Sequence, residues 1–256
     1  MDSRDFPIIE YDDERNALVN PSQIVHELDV PEHCLFPFYF KTLERLKKKG
    51  ILKVITYDIG FAIPPYPLYE LEHNGKRLAV MTSGLGAPFA AGNLEFAIAS
   101  GCKKFLAFGS CGVLDKTIAR GQFIIPTAAI RDEGTSYHYI PPSREISADP
   151  NIITKIQKSL DAKQIKYICG KTWTTDAFYR ETPKKIEKRK REGAIIVEME
   201  ASALFAVAQF RNVQLGYILA GSDDISGIEW DPRISLRARK FPEKFFWLAV
   251  EVCLEL

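Results

Sequence analysis

Leu78-Ala79-Val80-Met81-Thr82-Ser83-Gly84-Leu85-Gly86 carries four apolar residues into a glycine-rich turn. Beyond the turn, Ala90, Leu94, Ala97 and Ile98 recur at helical spacing. Strand, turn and helix follow one another, and the pattern returns. An apolar run at 105–108 meets Gly109-Ser110-Cys111-Gly112, and a further strand is predicted at 123–130. A run at 194–197 feeds a helix with Ala201, Leu204, Phe205 and Ala208 on one face, and a run at 215–220 ends at Gly221-Ser222-Asp223-Asp224. Strands that alternate with helices imply an α/β fold of three layers, a mostly parallel mixed sheet flanked by helices. In such sheets ligands bind beyond the carboxyl ends of the strands, where these polar and glycine-rich clusters fall.

Outward from this core, a helix is predicted over about 38–49, closed by Gly50, and a strand at 54–57. Asp149-Pro150 reads as an N-cap and N1 pair opening a helix that buries Ile153, Ile156 and Leu160. A last helix starts near Pro242 and buries Phe245, Leu248, Ala249, Val252 and Cys253. Residues 1–35 are polar and broken by proline, so they read as an irregular arm before a single domain over 36–256.

The composition bounds the function. With 256 residues, 46% hydrophobic and 26% charged, the chain is an ordinary globular one. A net charge of +1 gives no field to attract nucleic acid or an anionic membrane. No apolar run approaches the roughly 18 residues of a membrane span, and the charged start leads into no signal-like segment. The five cysteines are scattered with no CxxC pair, which suits reduced thiols in the cytoplasm. No cluster has metal-ligand spacing, so no metal is expected. The basic run from Lys184 to Arg191 reads as a solvated helix face.

Four clusters offer chemistry. Gly84-Leu85-Gly86 is a tight strand-to-helix turn or a place where bare backbone approaches an anion or a sugar. It is not a GxGxxG, so a dinucleotide is not expected. Gly109-Ser110-Cys111-Gly112 places a hydroxyl among N–H groups, suited to a phosphate oxygen or a water. In Val197-Glu198-Met199-Glu200, two acids at the inner end of a buried strand need partners, and sugar hydroxyls are good ones. Ser222-Asp223-Asp224 caps a turn or supplies a general acid for a departing base.

In this order, joined by Arg131-Asp132-Glu133-Gly134, the clusters resemble the purine and uridine nucleoside phosphorylase superfamily over about residues 78–227. The resemblance implies an enzyme that cleaves the N-glycosidic bond of a nucleoside. Phosphate is the expected acceptor, giving free base and pentose 1-phosphate, with no other cofactor. It implies that Glu200 and Asp223 are catalytic, Asp223 protonating N7 of a departing purine. Met199, Glu200 and Leu85 would hold the ribose; Ser110, Gly86 and Arg131 phosphate or water; Phe178, Glu198 and Ser222 the base. It also implies a homo-oligomer, a dimer or hexamer, in which the arm with His26 and His33 is a candidate to complete a neighbour's site. The chain departs from the pattern at Ala107, where these phosphorylases carry a phosphate-binding arginine, and it lacks their N-terminal Gly-Asp-Pro segment; Arg131, Arg120 and Arg180 are candidate replacements. Nucleosidases of the same superfamily lack that arginine and use water, which makes hydrolysis the alternative. A nucleoside-binding protein without turnover is a third reading. The stretch from Ala129 to Tyr139 looks more like uridine phosphorylases, so the base stays open between purine and pyrimidine.

Overall fold

The structure, a computed structural model, describes residues 6–25, 28–56, 66–233 and 243–256. Its elements in chain order are α1 (Pro21–Ile24), β1 (His33–Pro37), α2 (Phe40–Lys48), β2 (Lys53–Thr56), β3 (Leu68–His73), β4 (Lys76–Val80), α3 (Ala87–Ser100), β5 (Lys104–Val113), β6 (Phe123–Asp132), β7 (Glu145–Ser147), α4 (Pro150–Ala162), β8 (Tyr167–Thr175), α5 (Pro183–Arg191), β9 (Ala194–Glu198), α6 (Ala201–Arg211), β10 (Gln214–Asp224) and α7 (Glu243–Cys253). Short 3-10 turns lie at Pro7–Ile9, Thr135–His138 and Phe178–Arg180.

The strands form one mixed sheet. β1 pairs in parallel with β4 and β5, and β5 in parallel with β10. β6, β8 and β9 run parallel to one another, while β10 meets β6 and β5 meets β9 in antiparallel pairing. β5, β10, β6, β8 and β9 therefore close into a ring, and β1, β4, β3 and β2 extend from it as an open sheet. β5 belongs to both parts, and its second half carries the site.

Alternation along the strands builds the layers. Cys34, Phe36, Ala79, Met81, Phe105 and Ala107 face a core shared with Leu94 and Ala97 of α3 and Leu204 and Phe205 of α6. Leu35, Leu78, Val80, Leu106 and Phe108 face the opposite core with Leu43 and Leu46 of α2, Ile156 and Leu160 of α4 and Phe246 and Val250 of α7. This period of two, with both faces apolar, is that of a sheet covered on both sides. Helix faces rotate slightly from expectation: Ile152 is buried in α4 where Ile153 is half-buried, and Phe246 and Val250 replace Phe245 and Leu248 in α7.

Several boundaries differ from the sequence reading. The arm does not extend to residue 35, because His33–Pro37 is a central strand between β4 and β5. Gly109–Gly112 and Gly221–Asp224 are not turns; β5 and β10 continue through them. A Cβ on Gly109 would lie 2.9 Å from the Phe38 ring, so glycine serves a close approach there. The predicted Tyr57 and Pro242 boundaries lie outside the described residues. The basic run is α5, and it does more than face solvent. Arg189 is buried against Asp132 at 3.0 Å, and Lys185 reaches the same carboxylate at 3.5 Å. No helix among the described residues is long and apolar enough to cross a membrane.

Candidate active site

Site geometry begins with β5. Ala220 of β10 stands beside Ser110 and Gly221 beside Cys111. On the other side, Gly112 pairs with Val197, so the antiparallel register carries Glu198 and Met199 toward Cys111 and Ser110. The charges of Glu198 and Asp223 both act on the buried Cys111, which burial keeps as a thiol. Cys111 is thus a packed thiol, not a nucleophile.

Glu198 fixes the strand-to-helix corner. One carboxylate oxygen accepts the N–H groups of Glu200 at 2.7 Å and Ala201 at 2.6 Å. The other accepts the hydroxyls of Thr174 at 2.6 Å and Thr172 at 3.2 Å. Thr174 in turn accepts the Ser202 N–H at 3.1 Å. These contacts satisfy the first N–H groups of α6, the need that any helix start presents. Glu198 is therefore not available to a base: its oxygens are committed to β8 and α6, and it positions Glu200 instead.

Glu200 is buried, and its carboxylate accepts the Gly86 N–H at 2.7 Å and the Met199 N–H at 3.3 Å. The Gly86 contact joins two clusters 114 residues apart. Burial pushes the Glu200 carboxyl up, and the neighbouring Glu198 charge pushes it further. The loop that supplies Gly86 is built on Gly84, whose φ is +82° and whose Cβ would fall 1.7 Å from the Phe89 ring. Between the glycines, Leu85 stands 71% exposed at the mouth, and Met199 is half-buried beside Glu200. The Gly84–Gly86 loop, with Leu85, is thus brought to Met199 and Glu200.

At the other end, Asp223 and Ser222 lie half-buried near the end of β10. The Trp230 indole N–H donates to Asp223 Oδ2 at 2.7 Å. Phe178 stands 44% exposed with its ring 4.0 Å from that of Tyr179. Glu181 follows that turn. Its carboxyl is pushed up to about 7, by burial first and by the Asp223 charge second.

The acceptor side is neutral or acidic. Ser110 is exposed at the site, and the Tyr39 hydroxyl lies against it. Burial holds Tyr39 and Tyr217 as phenols, and the leading charges on Tyr217 are those of Glu198 and Glu200. Ala107 is fully buried between Phe36 and Tyr217, and the Phe38 ring stacks on Tyr217 at 5.8 Å. Arg131 does not replace the missing arginine. Its guanidinium donates to Ser136 Oγ at 2.8 Å, Ser143 Oγ at 2.7 Å and Pro141 O at 2.8 Å, and packs 4.1 Å over the Tyr137 ring. Arg120 lies in the exposed turn between β5 and β6, and Arg180 is exposed beside Glu181. His33 opens β1 at the end opposite the site, and His26 lies outside the described residues. A cleft of about 700 Å³ lies between the arm, α3 and the Thr135–His138 turn, with Gly134 and Asp176 in its lining.

Sequence reading missed Tyr39, Tyr217, Thr172, Thr174, Glu181 and Trp230. The alternation of Thr172 and Thr174 was the one available signal, since both hydroxyls face the same buried acid.

Comparison with known proteins bears on the family and the fold. The phosphorylase superfamily pattern matches residues 42–241. A guanosine phosphorylase of Halorubrum lacusprofundi is 27% identical over 153 residues, 60% of this chain and 64% of that protein. A uridine phosphorylase of Thermococcus kodakarensis is 26% identical over 205 residues, 75% of this chain and 73% of its own. The chain thus spans somewhat less than two thirds of the first of these relatives. Among solved structures, a purine nucleoside phosphorylase of Toxoplasma gondii in complex with immucillin-H superposes with a TM-score of 0.73 at 20% identity, covering 88% of this chain and 91% of that one. An AMP nucleosidase of Bacteroides thetaiotaomicron gives 0.69 at 20% identity, covering 88% and 87%. These likenesses establish the shared fold.

Proposed function

This chain belongs to the phosphorylase superfamily, and from that premise we propose that it cleaves the N-glycosidic bond of a nucleoside with phosphate as acceptor, releasing free base and pentose 1-phosphate. The observation that carries the reading is the Gly86–Glu200 contact, which brings the Gly84–Gly86 loop against the Glu198–Glu200 corner. In the free site Glu200 accepts two backbone N–H groups; with substrate it accepts the ribose hydroxyls as well, while Met199 and Leu85 cover the sugar's apolar face. Asp223 delivers a proton to the departing base, quenching the charge that develops as the C1′–N bond breaks. Phosphate enters beside Ser110 and bonds to C1′ from the opposite face. Phe178 stacks on the base, with Ser222 at its edge. The names of the relatives, guanosine and uridine phosphorylases among them, support this class of substrate.

A second reading has water as the acceptor. Ala107 and the internal commitment of Arg131 favour it, because the Ser110 side presents phenols, a thiol and acids, a poor environment for a phosphate dianion. The assembled enzyme is proposed to be a homo-oligomer, as the resemblance implies, and to work in the cytoplasm, which its scattered cysteines suit. A panel of purine and pyrimidine nucleosides, incubated with and without phosphate and separated by chromatography, tests the proposal. Sugar 1-phosphate formed only with phosphate supports phosphorolysis, free sugar formed in both supports hydrolysis, and no free base in either refutes both.

A further inference from the structure

Asp223 occupies an irregular point in β10. Gly221 stands beside Cys111 and Asp224 beside Val113, so Ser222 and Asp223 together oppose the single residue Gly112. That is a β-bulge, a device that re-aims a side chain which a regular ladder would fix. The ladder therefore does not set the direction of the Asp223 carboxyl, and the torsion that turns a carboxyl is intrinsically broad. Its orientation has to be held from elsewhere.

The chain after β10 supplies the hold. It leaves the sheet at Ile225 and returns at Asp231, where Asp224 and Asp231 exchange backbone hydrogen bonds of 2.8 and 2.9 Å. Arg233 locks the return: its guanidinium donates to Asp224 Oδ2 at 2.8 Å and to Ile118 O at 2.6 Å, and both side chains of this ion pair are largely buried. Its φ of +55° is one that an arginine rarely adopts. At the outgoing end, the Ser226 N–H donates to Asp224 Oδ1 at 2.7 Å, and Lys190 Nζ of α5 donates to Ser226 O at 3.3 Å. Residues 225–233 are thus a strap pinned at both ends, and Trp230 is carried on it. Trp230 is 53% exposed, so core packing does not account for its place. Its indole N–H donates to Asp223 Oδ2 at 2.7 Å, and among the described residues it is the one hydrogen-bond donor to that carboxyl.

We propose that Trp230 is the positioning residue of the general acid: it holds the Asp223 carboxyl in one orientation and makes Oδ1 the oxygen that carries the proton to the base. This inference rests on the nucleoside-cleaving reading given above, with Asp223 as the acid. An indole N–H can only donate, so Oδ2 serves it best as the carbonyl oxygen, and the hydroxyl of the neutral acid sits on Oδ1. The balance takes one proton. The C1′–N bond pair goes to the base nitrogen, the Oδ1 proton bonds to that nitrogen, Asp223 is left as a carboxylate, and solvent returns the proton after release. The indole bond persists through the transfer and becomes charge-assisted once Asp223 is ionised. A donor oxygen already in place keeps the advantage of proximity that a freely turning carboxyl would lose.

The test compares inosine, whose base takes a proton at N7 as it leaves, with 7-methylinosine, whose base leaves uncharged and needs none. Trp230→Phe removes the N–H and keeps an aromatic ring. With phosphate present, its ratio of inosine to 7-methylinosine kcat/KM should fall about tenfold, with the loss in kcat and the KM for inosine little changed. Trp230→His places the N–H of its five-membered ring where the indole N–H stood, and at about pH 7.5 that ring is mostly neutral. It should restore most of the ratio. Turnover of 7-methylinosine shows that each variant is folded. An unchanged ratio in Trp230→Phe, an equal loss on both substrates, or no recovery in Trp230→His overturns the positioning role. A wild-type protein that cleaves pyrimidine nucleosides alone overturns it too, while leaving the wider function standing. Cleavage of no nucleoside overturns both.

Discussion

Replacing Glu198 separates its positioning role from a ligand role. Its carboxylate accepts two backbone N–H groups and two threonine hydroxyls. In Glu198→Gln the amide oxygen can keep the two N–H groups, and the amide nitrogen can donate to hydroxyls that rotate to accept. Only the charge assistance is lost, about 0.5 kcal/mol per bond and so about 2 kcal/mol in all. In Glu198→Leu the two buried N–H groups at the start of α6 have no acceptor. Each such orphan costs about 1–3 kcal/mol, which places the loss near 4 kcal/mol, a large share of the roughly 5–15 kcal/mol that holds a domain folded. Urea denaturation of the two variants at pH 7 reads this difference, provided the slopes match. The glutamine variant should also ionise Glu200 at lower pH, because the like charge beside it is gone. Equal stability of the leucine variant and wild type would refute the capping role. So would a glutamine variant as unstable as the leucine one.

Other substitutions report on neighbouring parts of the account. Glu200→Gln should lower kcat/KM on a nucleoside about a hundredfold while raising stability above neutral pH. The sign follows from its raised carboxyl: the folded state holds this proton longer than the unfolded chain, so wild-type stability falls as pH climbs above about 4.5, and the amide removes that loss. Thermal melts at pH 5 and pH 8 should show an advantage of the glutamine variant that is small at pH 5 and grows toward pH 8, by up to about 1.4 kcal/mol for each pH unit. Gly84→Ala should lower activity at least tenfold with the far-ultraviolet spectrum intact, since a methyl at φ +82° meets the Phe89 ring and displaces the Gly86 N–H from Glu200. Arg131→Met should destabilise by about 2–4 kcal/mol, read by denaturation, and leave the phosphate dependence of KM unchanged, because its donors serve the 136–143 loop.

Legibility varied with how residues face inward. β4, β5 and β10 were visible because their inward residues are apolar, and the clusters at their ends pointed to one site. β8 was hidden because Thr172 and Thr174 turn hydroxyls toward Glu198, so a buried strand looks polar. β1 was hidden between Pro31 and Pro37, although its five residues sit at the centre of the sheet. Gly109 and Gly221 imitate turn residues, yet each accommodates a neighbour: the Phe38 ring for the first and the Ala119 carbonyl for the second. Glu200 and the loop that carries Leu85 meet through the Gly86 N–H, a contact between parts of the chain that no local pattern joins. Arg131 could not be judged from sequence, because the atoms that hold its guanidinium lie in a loop with no pattern of its own. Glu181 belongs to no motif; only the fold shows that burial pushes its carboxyl up.

The central claim is that Glu200 holds the sugar of a nucleoside while its base is cleaved off. Release of free base from inosine and uridine, followed chromatographically for wild type and Glu200→Gln in phosphate buffer, tests this most directly. The account predicts release from at least one nucleoside by wild type and a loss of about a hundredfold in the variant. Undiminished release by Glu200→Gln, or no release from either nucleoside by wild type, would contradict it.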